Sequence, residues 1–472
     1  MAIFYIMIIL FVLGYLCIAL EHPLKVNKAA FALLLGVSMW VLYVIAGEGI
    51  FDVTNFGAGF EAFKAEHPAS AHPFIDFITT HELIEHLGDI AEILFYLMGA
   101  MTVVELIDTY QGFSIITDHI KTTNKVKLLW ILGFITFFFS AILDNLTTAI
   151  VMVALLRKLL PDQHDRWFFG GVVILAANAG GAWSPIGDVT TIMLWVAGKV
   201  STGAVMLHAF IPSLVSMIIP LIVISFFEKG EIDASQRQVE NTESSIPTWQ
   251  RNLIFCLGIL ALVFVPIFKI LTHLKPYMGI MLGLSVLWIV TEVLHKTNQK
   301  QMQHFTISGV LTRIDLPTIL FFLGILLAVA GLQSAGHLSM LAAGMDTLFN
   351  GNFYLIDTII GVLSSIVDNV PLVAGVMGMY DFPIDHALWV YLSYCAGTGG
   401  SLLIIGSAAG VAVMGMEKID FVWYLKHITP YALLGYLAGA GVYILMDKLY
   451  MALGIGMAHT MALLPPTIPM VG

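Results

Sequence analysis

Ser140-Ala141-Ile142-Leu143-Asp144-Asn145 and Ser364-Ser365-Ile366-Val367-Asp368-Asn369 each set an acid and an amide in the middle of a long apolar stretch, 128–156 and 354–380. A carboxylate at the centre of a hydrocarbon layer costs about 3 kcal/mol or more, so neither stretch reads as a plain spanning helix. Basic residues stand at both ends of 128–156, whereas 354–380 has no Lys or Arg at either end. Each therefore reads as a re-entrant hairpin, the first entering from the basic side of a membrane and the second from the other side.

The rest of the chain has lipid as its natural solvent. Of its 472 residues, 58% are hydrophobic and 11% charged, with a mean hydropathy of +0.90. That is too little charge for a water-soluble surface. Runs long enough to cross a bilayer recur at 2–20, 29–47, 90–107, 167–198, 203–227, 252–272, 277–294, 316–337, 386–415 and 428–446. The first run has no basic leader and is expected to stay as a transmembrane helix. Cys17, Cys256 and Cys395 fall in separate runs and point to no disulfide framework. The net charge of −11 comes largely from acids clustered on one side, and no nucleic-acid partner is expected.

Lys and Arg set the orientation. With the N-terminus outside, the cytoplasm receives Lys25 and Lys28, Lys121 to Lys127, Arg157 to Arg166, the linker Glu228 to Arg251, and Lys296 to Arg313. A long loop from Glu48 to Leu87, holding only Lys64 among many acids, then lies outside. Its His67, His72, His81 and His86 read as solvated loop histidines rather than as a pH sensor.

The two halves repeat. Asp89-Ile90-Ala91-Glu92-Ile93-Leu94-Phe95-Tyr96-Leu97 matches Asp315-Leu316-Pro317-Thr318-Ile319-Leu320-Phe321-Phe322-Leu323 at an offset of 226, from 89 to 315. The hairpin motif recurs at an offset of 224, from 144 to 368, and Gly187-Asp188 matches Gly406-Ser407 at 219, from 187 to 406. Three matches in order mark an internal repeat, and hairpins entering from opposite faces make it an inverted one. The expected architecture is an all-α polytopic membrane protein of two inverted-topology repeats. Its parts are helices and the outer loop at 1–86, repeat 1 at 87–227, a cytoplasmic linker at 228–251, and preceding helices with repeat 2 at 252–472.

At the first tip, Asp144, Asn145, Thr147 and Thr148 bring together an anion, an amide and two hydroxyls. Hard oxygen donors of this kind suit a small dehydrated cation and not a thiophilic metal. Asp, Asn and Thr also cap helices, and one residue can do both. In Ala177–Thr191, three glycines and Pro185 within eight residues should break a helix near the midplane and free its carbonyls. Asn178, Ser184, Asp188, Thr190 and Thr191 line that break. The second repeat is poorer in charge: Ser365, Asp368 and Asn369 at its hairpin, then Thr398, Ser401 and Ser407 at its break. Asp89, Glu92, Glu105, Glu292 and Asp315 are weaker candidates, of which Glu105 lies deep enough for a proton path.

Leu143-Asp144-Asn145-Leu146-Thr147-Thr148, the run ending Ser184-Pro185-Ile186-Gly187-Asp188-Val189-Thr190-Thr191, and the stretch 313–327 resemble the NhaD-type Na⁺/H⁺ antiporters of bacteria. The likeness runs from about Leu87 to the end of the second repeat. It implies exchange of Na⁺, with Li⁺ as a second candidate cation, for H⁺ across a bacterial inner membrane. It also implies a homodimer in which a mobile part holding both hairpins works against a scaffold. No resident cofactor and no enzymatic activity are expected. An aspartate where the superfamily's symporters have a serine adds the titratable group that an antiporter needs. A Na⁺-coupled carboxylate or oxyanion carrier of the same superfamily is the alternative, though no Arg or Lys stands at either break. An intramembrane aspartyl protease would need a second facing Asp on a spanning helix, and its motifs are not matched.

Overall fold

The computed structural model describes residues 2–19, 24–50, 58–68, 70–113, 115, 122–232, 246–296, 306–366 and 369–454. Asp368, Lys121 and most of the 228–251 linker lie outside the described residues. Among those described there is no β-strand. Eight helices are long and apolar enough to cross a membrane: Lys28–Ala46, Pro73–Thr109, Lys125–Leu143, Thr202–Phe227, Thr248–Thr272, Pro276–Leu294, Leu316–Ser334 and Thr429–Ala452. The chain is an all-α polytopic membrane protein.

The run at 2–20 forms Ala2–Ala19, which falls just short of that set, and two other long apolar runs are absent from it because each is interrupted. Gln163–Ala182 and Val189–Val196 flank one break; Ala387–Gly399 and Ala408–Glu417 flank the other. The first helix runs straight through Gly180 and Gly181 and ends only at Trp183. These two glycines therefore serve close packing and not the break itself. The break belongs to Trp183-Ser184-Pro185-Ile186-Gly187-Asp188, where Pro185 has no N–H to donate.

The loop expected from Glu48 to Leu87 is instead substantially helical. Ala58–Glu66 and Pro73–Phe77 are helices, and a π-turn at Ile78–Glu82 leads directly into Leu83–Thr109. Pro73 opens its helix at the first turn, where a missing N–H costs nothing. Phe60, Phe74, Phe77 and Ile78 bury the inner face. Acids and histidines on the outer face masked that stripe in the sequence. His86 consequently sits on a long helix, 3.1 Å from the Ser334 hydroxyl.

The order of helix, hairpin, broken helix and long helix occurs twice. The first set is Leu83–Thr109, Lys125–Leu143 with Asn145–Leu159, Gln163–Ala182 with Val189–Val196, and Thr202–Phe227. The second is Leu316–Ser334, Phe353–Leu363 with Asn369–Met379, Ala387–Gly399 with Ala408–Glu417, and Thr429–Ala452. Equivalent contacts recur. Ser140 Oγ donates to the Ala177 carbonyl at 2.5 Å, and Ser364 Oγ to the Ala396 carbonyl at 3.0 Å. Gly180 lies against the Phe137 carbonyl, and Gly399 against the Gly361 carbonyl. A methyl group at either glycine would meet backbone that cannot swing aside. Gly180→Ala and Gly399→Ala should each destabilise by about 1–3 kcal/mol, the usual effect of overpacking. Gly415→Ala, which meets open space on its helix, should not lower the melting temperature in the same assay.

The helices sort into two groups. Ala2–Ala19, Lys28–Ala46, Leu83–Thr109, Thr248–Thr272, Pro276–Lys296 and Leu316–Ser334 pack on one another, and so do the hairpins, broken helices, Thr202–Phe227 and Thr429–Ala452. The groups meet where Leu316–Ser334 touches Asn369–Met379, where Leu83–Thr109 touches Val189–Val196 and where Thr248–Thr272 touches Lys125–Leu143. Within the hairpin group the repeats interlock, Asn145–Leu159 lying on Ala408–Glu417 and Asn369–Met379 on Val189–Val196. Charged ties pin the far ends of these pairs. Buried Glu417 accepts from Arg157 Nε at 2.6 Å and Arg166 Nε at 2.9 Å. At the other pair, Lys199 lies 3.6 Å from Asp381, and Asp385 Oδ1 accepts the Ser201 N–H at 2.5 Å.

Candidate cation site

Asp144 alone separates the two helices of the first hairpin. Its φ of 91° and ψ of 161° fall in a region almost reserved for glycine, at a cost of about 1–3 kcal/mol. The side chain offsets part of this by capping the returning helix. Asp144 Oδ1 accepts the Thr147 N–H at 2.7 Å and Oδ2 accepts the Thr147 hydroxyl at 2.9 Å. Each carboxylate oxygen has a further lone pair, so the cap leaves ligand capacity.

Asp188 does the same for the half-helix after the first break. It is 1% exposed, and its Oδ1 accepts both the N–H and the hydroxyl of Thr190 at 2.9 Å. Its Oδ2 accepts the Asn145 amide at 2.7 Å, which joins break to hairpin tip. Asn145 also donates to Asn178 Oδ1 at 3.1 Å. Asn178, fully buried, then donates to Ser401 Oγ and Ser407 Oγ, both at 2.9 Å. Asn369 reaches Asp188 Oδ1 from the second hairpin at 3.5 Å. One asparagine thus bridges the two repeats, and one aspartate gathers groups from both hairpins.

The remaining candidates divide. Ser184 donates to the Ala141 carbonyl at 2.5 Å and so fixes the break against the first hairpin. Thr191 pairs with Ser393 at 3.1 Å, a residue the sequence did not single out. Thr398 and Ser365 donate to carbonyls of their own segments, Tyr394 and Val362, and are not drawn into the cluster. Among the described residues, Thr148 is buried with no hydrogen-bond partner for its hydroxyl. So is Tyr96, on Leu83–Thr109, which lies within electrostatic reach of Asp144. Among the weaker acids, exposed Asp315 caps Leu316–Ser334 through Thr318, and Glu92 pairs with Lys275 at 2.9 Å. Asp89 and Glu292 are exposed.

A cavity of 450 Å³ leads to this cluster along the seam between the two helix groups. Asn145, Thr147, Asp188 and Asn369 line its inner end, while Lys28, Glu105, Asp108, Arg313 and Asp315 line its mouth. Arg313 stands 3.9 Å from Glu105, so charge at the mouth is mixed whereas the inner end is anionic. Such a floor, rich in oxygen and closed in by amides and hydroxyls, attracts a small cation and repels an organic anion.

Residues 5–392 match the family model described as CitMHS, citrate transporter. The chain is 31% identical to the Na⁺/H⁺ antiporter NhaD of Alkalimonas amylolytica over 94% of its own length and 90% of that protein. This chain belongs to the family of the NhaD antiporters. Two Arabidopsis thaliana proteins are nearer in identity. Sodium/proton antiporter 1 is 46% identical over 94% of this chain and 73% of the relative. Sodium/proton antiporter 2 is 44% identical over 93% and 98%. Membership among the NhaD antiporters and their kin makes the chain a transporter.

Proposed function

We propose that the chain exchanges Na⁺ for H⁺ across its membrane, the two ions competing for Asp144 and Asp188. The observation that carries this reading is the anionic inner end of the cavity, where Asp188 collects Asn145, Thr190 and Asn369 from three separate elements. The printed names of the relatives point the same way. Asp368 is proposed as a further ligand from the second tip, and Li⁺ as a second cation. The bacterial inner membrane and the homodimer are proposals from the family likeness.

Lys28 and Arg313 at the cavity mouth belong to segments that the basic-residue rule puts in the cytoplasm. The described state is then open inward. On the opposite side Lys269 donates to the Trp195 carbonyl at 2.8 Å and sits 4.5 Å over its ring, which fastens the hairpin group to the scaffold there. An elevator-like movement of the hairpin group along the seam would carry the same site to the outside. This requires hairpins entering from opposite faces. In a protein whose native cysteines have been replaced, Lys158→Cys should react with impermeant thiol reagents only from the cytoplasm. Asp381→Cys, at a side chain 85% exposed, should react only from outside. Labelling from one common side would remove the inverted repeat.

The family model's description as a citrate transporter favours a Na⁺-coupled carboxylate or oxyanion carrier as the second reading. Such a carrier needs cationic or donor groups around the anion. Here Lys28 and Arg313 stand at the mouth beside acids, and the floor carries Asp188. Labelled Na⁺ uptake into vesicles against a pH gradient, with and without citrate, separates the two: exchange without citrate supports antiport, and a strict need for citrate refutes it.

A further inference from the structure

Asp357 lies on Phe353–Leu363, the entering arm of the second hairpin, and is 0% exposed. It sits seven residues before Ser364, about 10 Å along the helix from the tip at 1.5 Å per residue. The Na⁺ cluster gathers at that tip, so Asp357 is not part of it. Its repeat counterpart, at the hairpin offset of 224, is Gly133, so no equivalent acid exists in the first half.

Among the described residues, neither carboxylate oxygen of Asp357 has a hydrogen-bond partner, and it makes no ion pair. The hydroxyls around it are committed elsewhere. Tyr391 pairs with Thr358 Oγ1 at 2.8 Å, Tyr436 donates to the Thr358 carbonyl at 2.8 Å, and Tyr443 donates to the Ala387 carbonyl at 3.0 Å. Tyr354, one turn earlier, donates to Asp447 at 2.5 Å. Tyr380, at the end of the returning arm, pairs with Asp346 at 3.1 Å, Cys395 is a further neighbour, and buried His386 lies against the entering arm with its ring 5.8 Å from that of Phe353. His337, on the neighbouring short helix, faces the Phe4 carbonyl at 3.0 Å. No Lys or Arg stands among these groups. An unpaired carboxylate in such a place would cost several kcal/mol, so the neutral acid is the form this state accommodates.

We infer that Asp357 is a proton-carrying group of the transport cycle, distinct from the carboxylates that hold Na⁺. This rests on the antiport reading and deepens it. In the described state Asp357 holds a proton as its carboxylic acid. When the hairpin group moves and water reaches the arm, the O–H bond breaks, the proton goes to that water, and the carboxylate stays behind, solvated. The arm regains a proton from the other face of the membrane as the group moves back, so one turn of the cycle carries one proton across. Tyr354, paired with Asp447, lies one turn nearer the open end of the hairpin.

The test compares Asp357→Asn with Asp357→Glu in purified, reconstituted protein. Asparagine matches the neutral acid in size but cannot release a proton, whereas glutamate misfits by a methylene yet titrates. Asp357→Asn should bind Na⁺ as wild type does, release one proton fewer per Na⁺, and lose exchange by about 100-fold, as when a proton-transfer group is removed. Asp357→Glu should recover measurable exchange with a displaced pH profile. A purely structural role predicts the reverse ranking, so Asp357→Asn exchanging at the wild-type rate, or better than Asp357→Glu, overturns the inference. Should the asparagine variant not fold, the pH profile of Asp357→Glu decides alone: displaced supports it, unmoved refutes it. A wild-type protein that binds Na⁺ without moving protons would sink both the inference and the antiport reading. Loss confined to Asp357→Asn concerns Asp357 alone.

Discussion

Asp188→Asn should abolish exchange while leaving a folded, inserted protein. The substitution keeps the shape, and Asn caps helices about as well as Asp, so Val189–Val196 retains its start. What disappears is the charge at the point where Asn145, Thr190 and Asn369 converge. Loss of a charged ligand worth about 3 kcal/mol weakens cation binding by about 100-fold. It also removes one titratable group from the floor, so the remaining turnover should couple poorly to protons. The repeat supplies an internal control in Ser407, which caps Ala408–Glu417 and accepts from Asn178. Ser407→Ala should weaken apparent Na⁺ affinity only severalfold, since it deletes two neutral hydrogen bonds, from Asn178 and from the Gly410 N–H, and no charge. A dead Ser407→Ala beside an active Asp188→Asn would reverse the assignment. Asp144→Asn is expected to behave like Asp188→Asn, because Asn keeps the size and shape of Asp at this strained tip and can keep the Thr147 cap.

The second large effect is on pH dependence. If Na⁺ and H⁺ compete for the same carboxylates, acid should raise the apparent Na⁺ constant by about tenfold per pH unit for each competing proton, once the sites are protonated. The sign follows from the ligands: only the ionised carboxylate binds Na⁺, so protonation removes sites and leaves the maximal rate nearly unchanged. An allosteric proton sensor behaves otherwise, lowering the maximal rate at fixed Na⁺ affinity. The outer histidines are the obvious places to seek one, and His86 is already engaged beside Ser334. Exchange measured against Na⁺ at several pH values, equal on both sides, separates these models. A Na⁺ constant that stays flat while the maximal rate collapses would refute competition.

The helices that hold the site were legible because lipid imposes long apolar runs, and an acid within one is conspicuous. Asp144 and Asp188 stood out for that reason, as did the repeat that aligns them with the second half. The sequence could not show that Asn178 bridges the repeats. That depends on the two broken helices, from opposite halves of the chain, meeting through the Ser401 and Ser407 hydroxyls. Ser140 and Ser364 stood in the quoted motifs, yet their clamp role emerges only when their partners, Ala177 and Ala396, come into place. Asp357 is an acid inside an apolar run, but nothing in the sequence distinguishes a buried, unpartnered acid on a hairpin arm from one that is paired or exposed. The helices at 58–66 and 73–77 were hidden for a different reason: their inner stripe of aromatics is short and their outer face is charged.

The exchange itself is tested most directly in proteoliposomes of the purified protein, loaded with a pH-sensitive dye and free of citrate and other carboxylates. A pulse of external Na⁺ should move protons at once, in the direction opposite to Na⁺. Asp188→Asn vesicles should give no such signal at equal protein content. Wild-type vesicles that take up Na⁺ with no proton movement, or that respond only when a carboxylate is added, would contradict the account.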